Sequence, residues 1–318
     1  MDLHSALRID PAQTCDEICA KIHDLLRDVR RRGAVLGISG GVDSAVVAGL
    51  CVRALGKDRV LGLYMPEADS SPDSLRLGKA LATQLGIATE LEDITAILEA
   101  AGCYRRRDAA IQSVIPAYTD KYRSKIVLPN LLDGSVYQLF SVIVESPDGV
   151  ETKARLPLEA YLTIVAATNF KQRTRKMMEY YYADRLNYAV AGTPNRLEYD
   201  QGFFVKNGDG AADFKPIAHL FKSQIYQLAE FLEVPEEIRL RPPTTDTYSL
   251  QQSQEEFYFA LPYDKMDIAI YARDQNASAE ELGGALGVTA EVAEKVYAII
   301  DAKRKAARYL HLPPVTFA

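Results

Sequence analysis

Apolar positions along the chain fall into runs whose period switches repeatedly between helix and strand. The segment Thr14-Cys15-Asp16-Glu17 has the form of a capping box, and Ile18, Ile22, Leu25, Leu26 and Val29 follow at helical spacing. Arg30-Arg31-Arg32 followed by Gly33 reads as a helix stop, its charge a complement to the helix dipole rather than a nucleic-acid patch. Residues 34–38 (AVLGI) predict a fully buried strand that passes through a glycine turn into a buried helix over 43–55. A strand over 59–65, a helix over 72–85, a strand over 88–91 and a short helix over 94–101 continue the alternation. This is the βαβ rhythm of an α/β protein with a doubly wound, mostly parallel sheet.

Farther along, the pattern predicts a long helix over 161–186 and a buried strand over 188–192. An amphipathic helix over 219–232 follows, carried by Leu220, Phe221, Ile225, Leu228 and Phe231. The chain is helical again from Ala279, and residues 265–318 read as a C-terminal helical segment of one domain spanning 1–318. Residues 124–159 break the rhythm. There YQLFSVIVE (137–145) and residues 150–156 flank Ser146-Pro147-Asp148-Gly149, a turn signal, which predicts an inserted β-hairpin. A surface decoration and a lid or interface arm are both compatible with it.

Composition narrows the class. The chain has 318 residues, 48% hydrophobic and 25% charged, with 37 basic against 43 acidic side chains and a net charge of −6. That length buries a sizeable core and excludes disulfide scaffolds and disordered tails. No run of about 20 apolar residues is present, and the first residues carry charges where a signal peptide needs an apolar stretch, so the expectation is a cytoplasmic protein with no membrane partner. Acidic balance argues against a nucleic-acid partner. The cysteines, 15, 19, 51 and 103, form no CxxC pair and the four histidines are scattered, so no zinc site is legible. Cys15 and Cys19 share a helix face, and no redox role is assigned to them.

The chemistry sits in Ser39-Gly40-Gly41-Val42-Asp43-Ser44, where the first buried strand passes into a helix. A helix N-terminus presents unpaired N–H groups and a positive dipole end, and two glycines let an anion approach closely. Ser39 and Ser44 add hydroxyl donors. Asp43 would repel a naked phosphate but suits a divalent cation bridging phosphate oxygens, so the loop asks for a nucleotide with Mg2+. It is neither a Walker A loop nor a GxGxxG turn, which disfavours γ-phosphoryl transfer.

The hexapeptide resembles the pyrophosphate-binding loop of the N-type ATP pyrophosphatases, an adenine nucleotide alpha hydrolase-like fold. Asn169-Phe170-Lys171-Gln172-Arg173-Thr174-Arg175 resembles the N-x-K-x-R-x-R segment of the ammonia-dependent NAD synthetase family within that group. Gly192-Thr193-Pro194-Asn195-Arg196-Leu197-Glu198 resembles its GT-x-N-x-x-E turn, and Gly202-Phe203-Phe204-Val205-Lys206-Asn207-Gly208-Asp209-Gly210 with Asp213 its mobile loop. Lys222 falls at the family's L-[TYF]-K-x-Q helix start, and Pro243-Thr244-Thr245-Asp246 matches P-[TS]-A-D. All stand in family order over roughly residues 30–265.

The resemblance implies ATP binding by Gly37, Ile38, Ser39, Gly40, Gly41, Val42, Asp43, Ser44, Met65, Thr193, Lys222 and Thr244, with Mg2+ on Asp43 and Glu198. It implies an acceptor side made by Arg173, Lys206, Asp213 and Lys303, and catalytic roles for Lys222 and for Asp209, which would orient or deprotonate ammonia. On residue type alone, Lys171 and Arg173 read as a solvated helix face, whereas Lys222 in a first helical turn opposes the dipole and is harder to dismiss. The implied reaction joins ammonia to the nicotinate carboxylate of deamido-NAD through an acyl-adenylate, releasing AMP and pyrophosphate. No covalent enzyme nucleophile is needed, in keeping with the lack of a Ser-His-Asp pattern.

The family implies a homodimer. Free ammonia is the expected donor, since there is no room in this chain for an amidase domain, and a separate glutaminase partner stays open. Departures gather on the acceptor side: Lys206-Asn207-Gly208-Asp209 for Lys-Tyr-Gly-Asp, Leu197 before Glu198, and Asp301-Ala302-Lys303-Arg304 for E-H-K-R. They motivate an alternative, an amide synthetase adenylating another carboxylic acid. A nucleotide-binding regulatory module without turnover, and a tRNA-modifying enzyme, fit the residues less well.

Overall fold

The computed structural model describes residues 3, 5–127, 140–243, 247–250 and 261–317. Helix α1 spans Pro11–Asp28, one turn earlier than the capping-box reading at Thr14. The Asp10 side chain accepts from the amides of Ala12 and Gln13, and Pro11 takes the first helical position. A proline there loses no hydrogen bond and has its φ preset, so Asp-Pro starts the helix ahead of the threonine. Cys15, Ile18, Ile22 and Leu26 form the buried stripe; Val29, counted as part of it from sequence, is the C-cap and half exposed.

Strand β1 (Ala34–Gly37) leads into α2 (Val42–Leu55), which is buried along most of its length. Then come β2 (Val60–Tyr64), α3 (Pro72–Leu85) and β3 (Ala88–Leu91). The chain returns much later to β7 (Ala189–Val190), on the other side of β1. The sheet order is β3-β2-β1-β7, parallel throughout, with Ala34 level with Val60 on one side and Ala189 on the other. Alternation along β1 sends Ala34 and Leu36 into a layer with α1, α2 and α8 (Lys222–Phe231), and Val35 into a layer with α4 (Thr95–Ala100) and α6 (Leu158–Leu186). Helices on both faces make the sheet doubly wound, and they explain why its central strands read as unbroken apolar runs.

Other elements also depart from the sequence reading. Helix α5 (Cys103–Gln112) was not anticipated, because its Tyr-Arg-Arg-Arg-Asp start hides the apolar stripe completed by Ala110 and Ile111. The insertion is a three-stranded antiparallel sheet rather than a hairpin. Strands β5 (Ser141–Glu145) and β6 (Glu151–Arg155) are the expected hairpin around the 146–149 turn, and β4 (Arg123–Val127) adds to β5. Positions 137–139 of the anticipated strand lie outside the described residues. Ile126, Val142 and Val144 pack with Ile111 of α5 and Ile164 of α6, so the insertion has its own core on the body of the protein. Helix α8 starts at Lys222 rather than at 219, since Phe221 is extended and its amide donates to Gln224 Oε1 at 3.0 Å.

The remaining helices are α7 (Arg196–Gln201), α9 (Glu236–Leu240), α10 (Tyr263–Asp274), α11 (Ala279–Leu286) and α12 (Ala290–His311). The last three enclose a second core with Leu7, Leu197 and Phe221. Among the described residues no helix is long and apolar enough to cross a membrane.

Candidate active site

The carboxyl ends of β1, β2 and β7 open into a cavity of about 520 Å³. It lies where the chain leaves β1 toward β2 on one side and comes back to β7 on the other, the crevice in which doubly wound sheets hold ligands. Its floor is the glycine loop. Gly40 has φ +76°, and a Cβ there would stand 2.5 Å from the Ser74 carbonyl oxygen, so only glycine fits. Ser44 Oγ donates to the Gly41 carbonyl (3.0 Å) and accepts from the Ser39 amide (3.3 Å), while Ser39 Oγ accepts from the Gly41 amide (3.3 Å). Gly41 is the N-cap of α2 and supplies no side-chain acceptor, which leaves the first amides of that helix for an anion.

Beside the loop, three elements converge. The Asp43 carboxylate forms an ion pair with Lys222 Nζ and accepts from Asn195 Nδ2 at 3.1 Å. Asn195 and Glu198 in turn make the capping box of α7: the Glu198 amide donates to Asn195 Oδ1, and Glu198 Oε2 accepts from the Asn195 amide, both at 3.1 Å. Lys222 is fully buried, and the Asp43 and Glu198 carboxylates raise its pKa against the opposing pull of burial. Burial and the neighbouring Asp43 charge push the Glu198 carboxyl up to about 8. A carboxylate made this reluctant to ionise beside another is what a cation would relieve. Among the described residues no group of three or more His, Cys, Asp or Glu side chains is arranged to hold a metal. The pair Asp43 and Glu198 fits a hard cation that completes its shell with phosphate oxygens and water.

Gly37, Ile38, Ser39, Gly41, Val42, Asp43, Ser44, Met65, Thr193, Glu198, Asp209 and Lys222 all line this cavity, and Gly40 lies inside the loop. Asp209 accepts from the Val205 amide at 2.8 Å, and burial raises its pKa. Asn207, where the family has tyrosine, sits at φ +61°, a left-handed position that asparagine tolerates well. Thr244 lies outside the described residues.

Four acceptor-side candidates are placed elsewhere. Arg173 is exposed and its Nε donates to the Lys206 carbonyl at 3.3 Å. Lys206 Nζ donates to the carbonyls of Tyr309 and Leu312, each at 2.9 Å, and so ties down the end of α12. Asp213 accepts from the Val190 amide (2.7 Å) and the Tyr180 hydroxyl (3.3 Å). Lys303 stands on α12, its pKa lowered to about 8 by burial. None of the four lines the cavity in the single chain.

Lys171, read from sequence as a solvated face, is wholly buried. Its Nζ donates to Glu67 Oε1 (2.9 Å), Asp69 Oδ2 (2.7 Å) and the Thr247 carbonyl (2.7 Å), and Arg107 pairs with the same Asp69. The reason is that Lys171 lies on the face of α6 turned toward α5 and the segments that carry Glu67, Asp69 and Thr247, while Arg173 lies on the exposed face. Other contributors went unnoticed. Arg175 Nε donates to the Met65 carbonyl at 3.1 Å, Lys176 pairs with Glu179 against Gly37, and Arg241 Nη2 donates to Ser74 Oγ at 3.1 Å. Asp267 on α10 is fully buried and accepts from the Ser223 amide at 2.7 Å, an acidic cap on the helix that begins with Lys222. The N-x-K-x-R-x-R segment contained part of this set, but nothing local marked Asp267 or Arg241.

The chain is similar to known proteins over most of its length. The family model described as NAD synthase matches residues 14–117 and 146–308. A relative named NH(3)-dependent NAD(+) synthetase, from Rhizobium meliloti, is 58% identical over 97% of this chain and 92% of its own length. Two solved structures share the fold at 23% identity. One is an NH3-dependent NAD synthetase from Campylobacter jejuni (TM-score 0.63, covering 98% of this chain and all of the other), the other an NMN synthetase from Francisella tularensis (TM-score 0.67, covering 97% and 99%).

Proposed function

The chain belongs to the NAD synthase family, and from that premise we propose that it uses ATP to amidate the nicotinate carboxylate of deamido-NAD with ammonia. The observation that carries this is the meeting of Asp43, Lys222, Asn195 and Glu198 at the glycine loop in one cavity. The acceptor carboxylate attacks the α-phosphorus of ATP, pyrophosphate leaves, and ammonia then displaces AMP from the acyl-adenylate. Loop amides and Lys222 neutralise the charge gathering on the leaving pyrophosphate, which is where preorganised donors lower a barrier most. Asp43 and Glu198 would hold Mg2+, which supplies further neutralisation of the phosphate oxygens when bound. Asp209, made more basic by burial, takes the proton that the attacking ammonia loses.

The acceptor-side departures do not call for a different acid, because a relative 58% identical over nearly the whole chain carries the NH(3)-dependent NAD(+) synthetase name. The acceptor is completed by a second copy of the chain. On α6, Leu158, Leu162, Met177 and Tyr181 form an exposed apolar line, and Arg173 lies within it. A homodimer that covers this line brings Arg173 to the subunit boundary. Soluble nucleotides as substrates suit the cytoplasm.

The test is pyrophosphate release from ATP, Mg2+ and ammonium, with and without deamido-NAD, the products being identified by mass. Release that depends on deamido-NAD, together with NAD and AMP, is the expected outcome. Release equal with unrelated carboxylic acids, or independent of any acceptor, overturns the proposal.

A further inference from the structure

The family match omits residues 118–145, the stretch that carries β4, β5 and, just before β5, Phe140. Yet Phe140 lines the same cavity as the glycine loop. Its ring stacks on Tyr161 of α6, with centroids 4.0 Å apart and planes inclined by 18°. Among the lining positions of α6, Tyr161, Val165, Thr168, Gln172, Lys176 and Glu179 recur every three or four residues and share one face, with Asn169 and Arg175 beside them. From Tyr161 to Glu179 that face extends about 27 Å at 1.5 Å per residue.

The two ends of the face differ. Glu179 lies against Gly37, with its Oε1 3.1 Å from where a Cβ of Gly37 would be, and it pairs with Lys176. The Asp209 loop sits over the same half, since a Cβ at Gly208 would be 2.9 Å from Cβ of Gln172. The glycine loop and the Asp209 loop thus both meet the C-terminal half of α6. The N-terminal half is aromatic and apolar, with Phe140, Tyr161 and Val165 joined by Tyr248, which is hydrogen-bonded to Thr168. Strand β4 also holds the segment that carries Tyr248. The Ser124 amide donates to Ser249 Oγ (2.9 Å) and its carbonyl accepts from the Leu250 amide (3.2 Å).

We propose that the inserted sheet builds the base end of the nucleotide cavity, where Phe140, backed by its stack on Tyr161, walls the adenine ring of ATP. A flat apolar wall with hydroxyls at its edge suits a purine, whose faces stack and whose rim accepts and donates hydrogen bonds. The insertion is then a substrate-binding part of the enzyme, and β4 positions Tyr248 on the opposite side of the base. This rests on the reading of the cavity as an ATP site.

The test uses the full chain. ATP is titrated by calorimetry onto the wild type and onto Phe140→Ala, Phe140→Leu and Phe140→Tyr, without acceptor, and the steady-state constants follow. Phe140→Ala should weaken ATP binding and raise KM for ATP about tenfold, Phe140→Leu about threefold, and Phe140→Tyr should match the wild type. Values of kcat and of KM for deamido-NAD should stay within about twofold, because the ring binds the ground and transition states alike. Unchanged ATP affinity in a Phe140→Ala protein that melts as the wild type does would overturn the proposal, as would a change confined to KM for deamido-NAD. If Phe140→Ala does not fold, Phe140→Leu decides alone. A wild type that binds ATP but amidates nothing defeats the functional reading, while the titrations still judge the base pocket.

Discussion

At the scale of single residues, the site is a balance of charges that no one residue explains. Asp43 faces an ammonium, an amide and a second carboxyl group, and its proposed work is to hold a cation. Asp43→Asn keeps an oxygen to accept from Asn195 and removes one of the causes that hold Glu198 protonated. We expect pyrophosphate release to fall about a thousandfold while the circular dichroism and melting profile barely move. Unaltered release would remove Asp43 from the metal site. Glu198 makes a prediction about pH. Its folded pKa is about 8, above the ordinary 4.5, so between those values the folded protein keeps a proton that the unfolded chain has lost. Stability from this group is therefore full below about 4.5, declines as pH rises toward 8, and is flat above it. Urea unfolding in a chelator at pH 5 and pH 8 should show a smaller loss across that interval in Glu198→Gln than in the wild type. An equal loss in both proteins would dismiss the shift.

At the scale of elements, backbone geometry decides what the side chains can do. Gly40 and Gly284 offer a comparison. Gly40 combines φ +76° with a carbonyl 2.5 Å from any added Cβ, whereas Gly284, within α11, has nothing within 4 Å. Gly40→Ala should destabilise the protein by about 2 kcal/mol and raise KM for ATP, since the loop must shift away from Ser74. Gly284→Ala should stabilise it by about 0.5–1 kcal/mol through helix propensity, with kinetics unchanged. Denaturant midpoints and ATP kinetics of the two variants check this, and a Gly40→Ala enzyme with wild-type KM would show the loop to be more tolerant than its contacts imply. Element starts were legible where a single signal stands, as at Pro72 in the first turn of α3, and misplaced where two compete, as at Asp10 and Thr14. Strand β4 escaped notice because its partner, β5, lies beyond a long intervening stretch, and pairing across that distance leaves no periodicity in the strand itself.

At the scale of the whole molecule, α6 runs from the inserted sheet to β7, through the cavity wall and out to the surface. Its exposed apolar line should be covered by a second copy. Light scattering should give twice the chain mass, and Leu162→Glu or Met177→Glu should shift the protein toward one chain and raise KM for deamido-NAD more than KM for ATP. A wild type of single-chain mass would end this assignment. By itself, the sequence determined the parallel α/β frame and the glycine turn that carries Asp43 at a helix start, because buried strands, helix starts and glycine turns are local and carry their signal in consecutive residues, whereas Glu198, Lys222 and Asp209 were picked out by the family resemblance of their motifs. Tertiary structure alone decided that Lys171 is buried among Glu67, Asp69 and Arg107, that Asp267 caps the helix of Lys222, and that Phe140 reaches the nucleotide cavity. Those are contacts between segments far apart in the chain, and whether a charge is solvated or paired, or a ring exposed or stacked, is settled by what packs against it.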